Sequence, residues 1–487
     1  MVQESLQFNA KNKMNLKHFH NHRVHLIGIG GIGMSAIAEI LSKGGVKVQG
    51  SDVSKTYITE YLKKIGVEVT IGHSPDNLKD ASLIIRSTAI KDDHIEIIEA
   101  KRRFLRILHR AEALAEILNG LKTVAITGTH GKSTTTALTG AICFDASLRP
   151  IIVNGAFINQ FSSNVLTGTG NLAVIESDES DESFLVPPSD LAVVTNMDAE
   201  HLDYYGSVER MQASYKKFIL KIIDKGPCFI CNDHLELSKL SKNINNSNII
   251  TYAINTEADI KASNIEVIEN GTKFNLIFNP TFAEKFFVKS LQENNLFLSL
   301  YGQHNVYNAL AALGIGLTLG INIDKIRESL RNFGGVKRRF TKVGIVDGVM
   351  IVDDYAHHPA EIQATFSVAR HIAKMRSGDV IAVMQPHRYS RLLKLMDEFA
   401  ASFTDADFVI LTEVYGAGEA KIENVNSEIL RDKIIRNGKE VVGICHQYDE
   451  LKPMLKKIAK PNDIVIMIGA GDITKWSYKL AASSKLE

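Results

Sequence analysis

The chain has 487 residues, room for about three domains at roughly 150 residues each. Its 56 Lys and Arg stand against 55 Asp and Glu, a net charge of +1 that gives no general attraction to nucleic acid or anionic lipid. With 45% hydrophobic and 23% charged residues it is an ordinary globular composition, which excludes wholesale disorder and collagen-like or mucin-like chains. No apolar run reaches the roughly 18 residues that cross a bilayer. The opening stretch MVQESLQFNAKNKMNLKHFHNH has no apolar signal-peptide core, so a cytoplasmic location without membrane partners is expected.

Residues 1–21 are polar and aperiodic and are expected to form a flexible tail. His18, His20, His22 and His25 have no carboxylate or Cys between them and read as solvated rather than metal-binding. Residues 23–27 form an apolar strand pattern, 28–33 a glycine turn, 34–41 an apolar helix, and VKVQGSD a second strand ending at Asp52, together a β-α-β unit. The alternation continues through LIIRSTAI and the helical AEALAEILNG. A new strand, glycine loop and helix open at Lys122, so a second domain is expected from 121. Four cysteines, Cys143, Cys228, Cys231 and Cys445, are too few for a disulfide scaffold. The C-x-x-C pair sits in PCFICN, which reads as a strand rather than a zinc or redox site. Another boundary falls near GGVKRRF (334–340). After it IVDDYAHHP, VIAVMQP, DFVILTEVY and DIVIMIGAG each run as a strand into polar residues. The expected fold class is therefore α/β with three domains and mostly parallel sheets. Ligands are expected at the carboxyl ends of the strands.

The chemistry-bearing motifs all fall at such ends. Gly28, Gly30, Gly31 and Gly33 make a G-x-G-x-x-G between strand and helix, with Asp52 24 residues beyond the first glycine. That context suits a nucleotide diphosphate at the helix amino terminus, with the acid on a ribose hydroxyl or base. Gly128, Thr129, His130, Gly131, Lys132, Ser133 and Thr134 form a shortened P-loop. Its backbone N–H groups would cradle ATP phosphates, Lys132 would supply charge, and the Ser133 hydroxyl would face Mg²⁺. The strand LAVIES ends in Glu176 inside the run ESDESDES, where NTPases place a carboxylate that holds Mg²⁺. A further strand end puts His201 among acids in MDAEHLDYYG. Two metal ions would give it a purpose, since charge builds on both the γ-phosphate and an attacking carboxylate.

With these residues in view, the chain resembles the Mur ligase family from about residue 22 to its end. The marks are GIGGIGMS (28–35), GTHGKST (128–134), ESDESD (176–181), TNMDAEHLDYYG (195–206), GQHNVYNALAA (302–312), RRF (338–340), DDYAHHP (353–359), QPHRYSR (385–391), VYGAGE (414–419) and GAGD (469–472). The resemblance implies a Rossmann-like nucleotide-sugar domain at 22–120, a central P-loop ATPase domain at 121–335 and a C-terminal Rossmann-like domain at 336–487 that closes over both. It implies that Lys132 binds phosphates and that Ser133, Glu176 and His201 are Mg²⁺ ligands, two ions being expected and Mn²⁺ an alternative. Asn305 and Asn308 are implied as nucleotide contacts. Arg339 and Asp354 are implied to reach ATP when the last domain closes, Arg339 acting as an arginine finger. Tyr355, His357, Arg388 and Arg391 are implied as amino-acid contacts, a forked guanidinium pair suiting a carboxylate. Without the resemblance, Arg388 and Arg391 read equally well as surface charges on one helix face. The implied reaction is ATP-dependent joining of L-alanine to the lactyl carboxylate of UDP-N-acetylmuramate through an acyl phosphate. The chain would act as a monomer or weak homodimer.

Two departures from the family pattern are visible. Ser133 stands where threonine is common, which keeps the hydroxyl, and Glu182 adds a charge where a small residue is typical, which could blur which acid meets the metal. Within the family, a ligase that attaches a preformed tripeptide to the same nucleotide sugar is the nearest rival, though its first glycine loop usually differs. An NAD-dependent dehydrogenase would leave the P-loop, Glu176 and His201 without purpose. A non-catalytic nucleotide-binding regulator would not need a full set of phosphate, metal and acceptor residues.

Overall fold

The computed structural model describes residues 15–268, 270–483 and 485, and its strands form three sheets. The first has five strands in the order Glu68–Ile71, Lys47–Asp52, Arg23–Ile27, Leu83–Arg86, Arg106–His109, every neighbouring pair parallel. The strand order reverses at Arg23–Ile27, so the crevice for a ligand opens at the carboxyl end of that strand. Helix Ile32–Lys43 leaves the glycine turn there, its whole middle section buried from Met34 to Leu41.

The expected flexible tail is corrected where it can be seen. Lys17–His20 is a short helix, and Leu16 and Phe19 are buried in the same core cluster as Val24, Ile117 and Leu118. Two apolar residues three apart share one face of a helical turn, a signal too brief to stand out among polar neighbours. The rest of the expected tail, 1–14, lies outside the described residues. His18 and His20 are exposed, but His25 is buried, with Nε2 3.2 Å from Glu96 Oε2. A central parallel strand is covered on both faces, so a polar residue within it must find its partner inside.

The second sheet has ten strands, with Lys122–Thr127 between Leu191–Val194 and Leu172–Glu176, all parallel. Strand Ser163–Leu166 closes one edge antiparallel to Ile151–Ile158. The core strands read as unbroken Val, Ile and Ala because both faces are buried, each large aliphatic side chain contributing about 1.5–3 kcal/mol. Cys228–Cys231 is one of them. Burial pushes the Cys228 thiol up to about 12 and the Cys231 thiol to about 11, so both are inert hydrophobes at neutral pH.

The third sheet runs Thr341–Val346, Val349–Asp354, Ile464–Ile468, Val380–Met384, Phe408–Thr412, Glu440–Cys445, antiparallel only at the first pair. By packing, the chain divides into two units. One comprises the described chain up to Ile265 with Phe274–Ser299 and Asn305–Gly334, and holds the first sheet and the second apart from the adjoining ends of strands Ile260–Ile268 and Gly271–Phe278. The other comprises Glu266–Lys273, Leu300–His304 and the chain from Gly335 on. Among the described residues no helix is long and apolar enough to cross a membrane.

Candidate active site

Strand Lys122–Thr127 delivers the chain into the P-loop, and helix Lys132–Asp145 takes it away from Gly131, whose φ of +82° is left-handed. A Cβ on Gly131 would lie 2.5 Å from Asn308 Oδ1, and one on Gly128 would strike the Thr195 hydroxyl. Two neighbouring side chains thus press on the loop from behind. The His130 N–H donates to Asn196 Oδ1 at 2.7 Å and the Asp198 N–H to Thr129 Oγ1 at 2.9 Å, which pins the loop to the next strand end. Lys132 Nζ folds back onto Gly128 O (2.6 Å), Thr129 O (3.2 Å) and Glu179 Oε1 (2.9 Å). Burial works against its charge, yet Glu179 and Glu176 outweigh that and hold its pKa above the ordinary lysine value. Thr134 is buried in the first helical turn. Asn305 and Asn308 are buried too: Thr135 Oγ1 donates to Asn308 Oδ1, and Asn308 Nδ2 to Asn305 Oδ1, both at 3.1 Å. The two amides back the loop.

Glu176 ends its strand with Oε2 accepting the Gly155 N–H at 2.6 Å, and the Ser133 hydroxyl also hydrogen-bonds its carboxylate. Burial raises the Glu176 pKa, and Lys132 pulls it back down. Glu179, which the sequence reading did not single out, is the hub of the group. Its Oε1 faces both Lys132 Nζ and His201 Nε2 (3.5 Å), while its buried Oε2 has no hydrogen-bond partner among the described residues. His201 sits at φ +56°, and its hydrogen bond to Glu179 raises its pKa. Glu182 accepts from the Ser214 hydroxyl.

These residues fit Mg²⁺. Among the described residues no three His, Cys, Asp or Glu stand together as a metal cage, and Mg²⁺ does not use one: it takes one or two carboxylates plus substrate phosphates and waters. A buried carboxylate oxygen lacking a donor, beside the P-loop, is the kind of hard ligand it prefers.

On the first sheet Gly28 has φ +77°, and helix Ile32–Lys43 starts after Gly31. Asp52 is turned inward. Its Oδ2 accepts the Gly30 N–H at 2.8 Å and Oδ1 the Ser54 N–H at 3.2 Å, and a Cβ on Gly30 would lie 2.9 Å from that Oδ2. The acid expected to meet a ribose holds the glycine turn. A cleft of about 260 Å³ joins the two glycine loops, its walls including Ile32, Gly33, Arg110, Lys132, Glu176 and Asp178. Arg110 and Asp178 also went unread in the sequence, because nothing in their spacing says that they meet.

In the other unit Asp354 ends its strand, buried, with Oδ2 accepting the Phe340 N–H (2.6 Å) and Oδ1 the Ala356 N–H (2.7 Å). Burial lifts its pKa to about 6 although Arg339 opposes this. The Arg339 guanidinium lies 5.6 Å over the Tyr355 ring and 3.9 Å from Glu361. Ring contacts then run from Tyr355 to His357 (5.1 Å), to His387 (5.9 Å) and to Tyr415 (5.5 Å, stacked), with Arg391 Nη1 3.4 Å from His387 Nδ1. Burial pushes His387 down to about 4 and lowers His357 as well. His387 and Tyr415 extend the group expected here. One expectation is corrected: Arg388 and Arg391 do not share a helix face. Arg388 precedes helix Tyr389–Lys394 at φ +69°, its N–H bonded to Tyr415 O at 2.8 Å. The turn that presents it breaks the helical spacing.

Three family models match in order: Mur ligase family, catalytic domain (23–122), Mur ligase middle domain (126–316) and Mur ligase, glutamate ligase domain (338–471). The UDP-N-acetylmuramate–L-alanine ligase of Brucella anthropi is 45% identical over 457 residues, covering 94% of this chain and 96% of that protein. That of Phenylobacterium zucineum is 43% identical, covering 94% of each. Among solved structures, the UDP-N-acetylmuramate-alanine ligase MurC of Thermotoga maritima aligns with a TM-score of 0.79 at 28% identity, covering 94% of this chain and 98% of that one. A murein peptide ligase from Psychrobacter arcticus shares the fold with a TM-score of 0.67 at 23% identity, covering 94% and 97%.

Proposed function

The chain belongs to the Mur ligase family, and we propose how its residues carry out that family's chemistry on the substrates of its alanine-adding relatives. It joins L-alanine to UDP-N-acetylmuramate using ATP, a step of peptidoglycan synthesis. The observation that carries the residue-level reading is a cleft whose walls combine the first glycine helix, Lys132 and Glu176. A nucleotide sugar lying along the first turn has its carboxylate end directed at the phosphates on the second.

The lactyl carboxylate attacks the γ-phosphoryl group of ATP, the alanine amine then attacks the acyl phosphate, and phosphate leaves. Each step needs charge neutralised and groups aligned rather than a protein nucleophile. Lys132 leaves Glu179 for the phosphates, with the loop N–H groups of 128–133 beside it. Ser133, Glu176 and His201 would hold Mg²⁺, in one or two ions. When bound, it neutralises charge between phosphate oxygens. Glu179 keeps His201 oriented. Asn305 and Asn308 support the nucleotide loop. Arg339, next to the Phe340 N–H that Asp354 holds, neutralises the transferring phosphoryl group. Tyr355, His357, Arg388 and Arg391 take the alanine, with His387 neutral among them. We put the enzyme in the cytoplasm, as a monomer or weak homodimer.

The test is phosphate release from ATP and Mg²⁺ with UDP-N-acetylmuramate and, in turn, L-alanine, an L-Ala-γ-D-Glu-diaminopimelate tripeptide, or no amine. Turnover is expected with L-alanine alone, and Lys132→Ala should lower kcat by about 100-fold or more. Turnover with the tripeptide alone would move the chain to a peptide-recycling role.

A further inference from the structure

Arg110 opens helix Arg110–Leu118, the last helix before the second sheet. Its Nη2 lies 2.7 Å from Asp178 Oδ2, 3.4 Å from Ser183 Oγ and 3.7 Å from Asp181 Oδ2, all on the acidic loop that follows Glu176. Its Nη1 lies 3.3 Å from where a Cβ on Gly33 would stand, in the first turn of the helix behind the glycine turn. Glycine inside a helix costs about 1 kcal/mol relative to alanine. Here it lets a guanidinium come up against the helix. The same guanidinium forms part of the cleft wall with Lys132 and Glu176.

A staple between the two sheets needs only the Nη2 side. The Nη1 side adds a forked, permanently charged donor beside a helix amino terminus, and both features favour anionic oxygens at one point. Asp178 holds one arm of the fork, so that less rotamer freedom is left to lose on binding. We propose that Arg110 is a substrate-positioning residue that binds the anionic oxygens of the nucleotide sugar in this cleft. The proposal rests on the ligase reading above. Such oxygens come from two sources, the diphosphate and the lactyl carboxylate. The Gly33 contact favours the diphosphate.

Calorimetric titration separates these. UDP-N-acetylmuramate and UDP-N-acetylglucosamine, which lacks the lactyl carboxylate, are titrated without ATP into wild type, Arg110→Ala, Arg110→Gln and Arg110→Lys. Loss of a charged hydrogen bond should weaken UDP-N-acetylmuramate about 10- to 100-fold in the Ala and Gln variants. Lys should recover part of this, and ATP affinity should stay within about threefold, which shows that the variants fold. In turnover the KM for the nucleotide sugar should rise more than kcat falls. Equal weakening of both sugars assigns the diphosphate; weakening of UDP-N-acetylmuramate alone assigns the carboxylate. Variants that bind both sugars as wild type does would overturn the proposal. A wild type that binds neither sugar would sink the ligase reading, and this proposal with it.

Discussion

Asp354 is the acid whose environment most clearly writes a pH dependence into the chain. Its ordinary pKa of 3.8 is lifted to about 6 by burial. The folded chain therefore holds this proton more tightly than the unfolded one, and stability falls as pH rises from about 4 through 6, by roughly 3 kcal/mol at most. Function runs the other way. Only the ionised carboxylate accepts from Phe340 and Ala356 together; protonation turns one oxygen into a donor facing an N–H and releases the segment that carries Arg339. We expect kcat to fall as pH drops through about 6. Asp354→Asn should start low and lack that acid limb, and a pH–rate profile in which the two enzymes run parallel would exclude the mechanism. Single residues also show where sequence reading stops. Glu176 was legible because an apolar run announces a strand end. Glu179 was not, since the acids of ESDESDES are alike by pattern and only the turn geometry decides which one faces Lys132. Asp52 was legible as an acid near the glycine turn, but not its direction, which the Gly30 N–H takes.

The P-loop with its flanking strand and helix shows how an element depends on its glycines. At Gly131 an added Cβ meets two penalties, the left-handed φ of +82° and the 2.5 Å approach to Asn308 Oδ1. The first costs about 1–2 kcal/mol, and displacing the Asn308 amide from Thr135 adds a net hydrogen bond of about 1 kcal/mol. Gly206 has a similar φ of +74°, but an added Cβ there would meet no described atom within 4 Å beyond its chain neighbours, so it meets the first penalty alone. Gly131→Ala should therefore lower stability by about 2–3 kcal/mol and weaken ATP at least tenfold. Gly206→Ala should cost about 1–2 kcal/mol and leave ATP affinity as it is. Urea unfolding with nucleotide titration measures both, and equal effects at the two sites would remove Asn308 from the account. Strand, glycine loop and helix were legible here because each has its own composition. The helix Lys17–His20 and the positive φ of Arg388 were not, since a four-residue helix is shorter than the window in which periodicity can be counted and a non-glycine left-handed residue carries no mark of its conformation.

At the scale of the molecule, strand and helix alternation reveals three sheets but not which of them share a core. Val24 and Leu26 of the first sheet lie in one apolar cluster with Ala125 and Ile175 of the second, whereas the third sheet keeps its own clusters on its two faces. That sharing is set by contacts between distant segments, which no local pattern records. Two cooperative units should follow, and the chain carries a probe for one of them. Trp476 is its single tryptophan; it packs edge-on against Tyr448, with ring centroids 5.9 Å apart, in the unit built on the third sheet. Its fluorescence therefore follows that unit alone, while calorimetry follows both. Lys132, Glu176, Asn305 and Asn308 all belong to the other unit. Mg²⁺ and ADP at about 100 times Kd should add about 2.7 kcal/mol to the unit that binds them, raising its midpoint by roughly 5 °C at about 2 °C per kcal/mol. The calorimetric transition that tryptophan does not report should move by this amount, and the fluorescence midpoint by much less. If fluorescence and calorimetry instead give one coincident transition that shifts as a whole, the sheets unfold together and the phosphate-binding unit has no stability of its own.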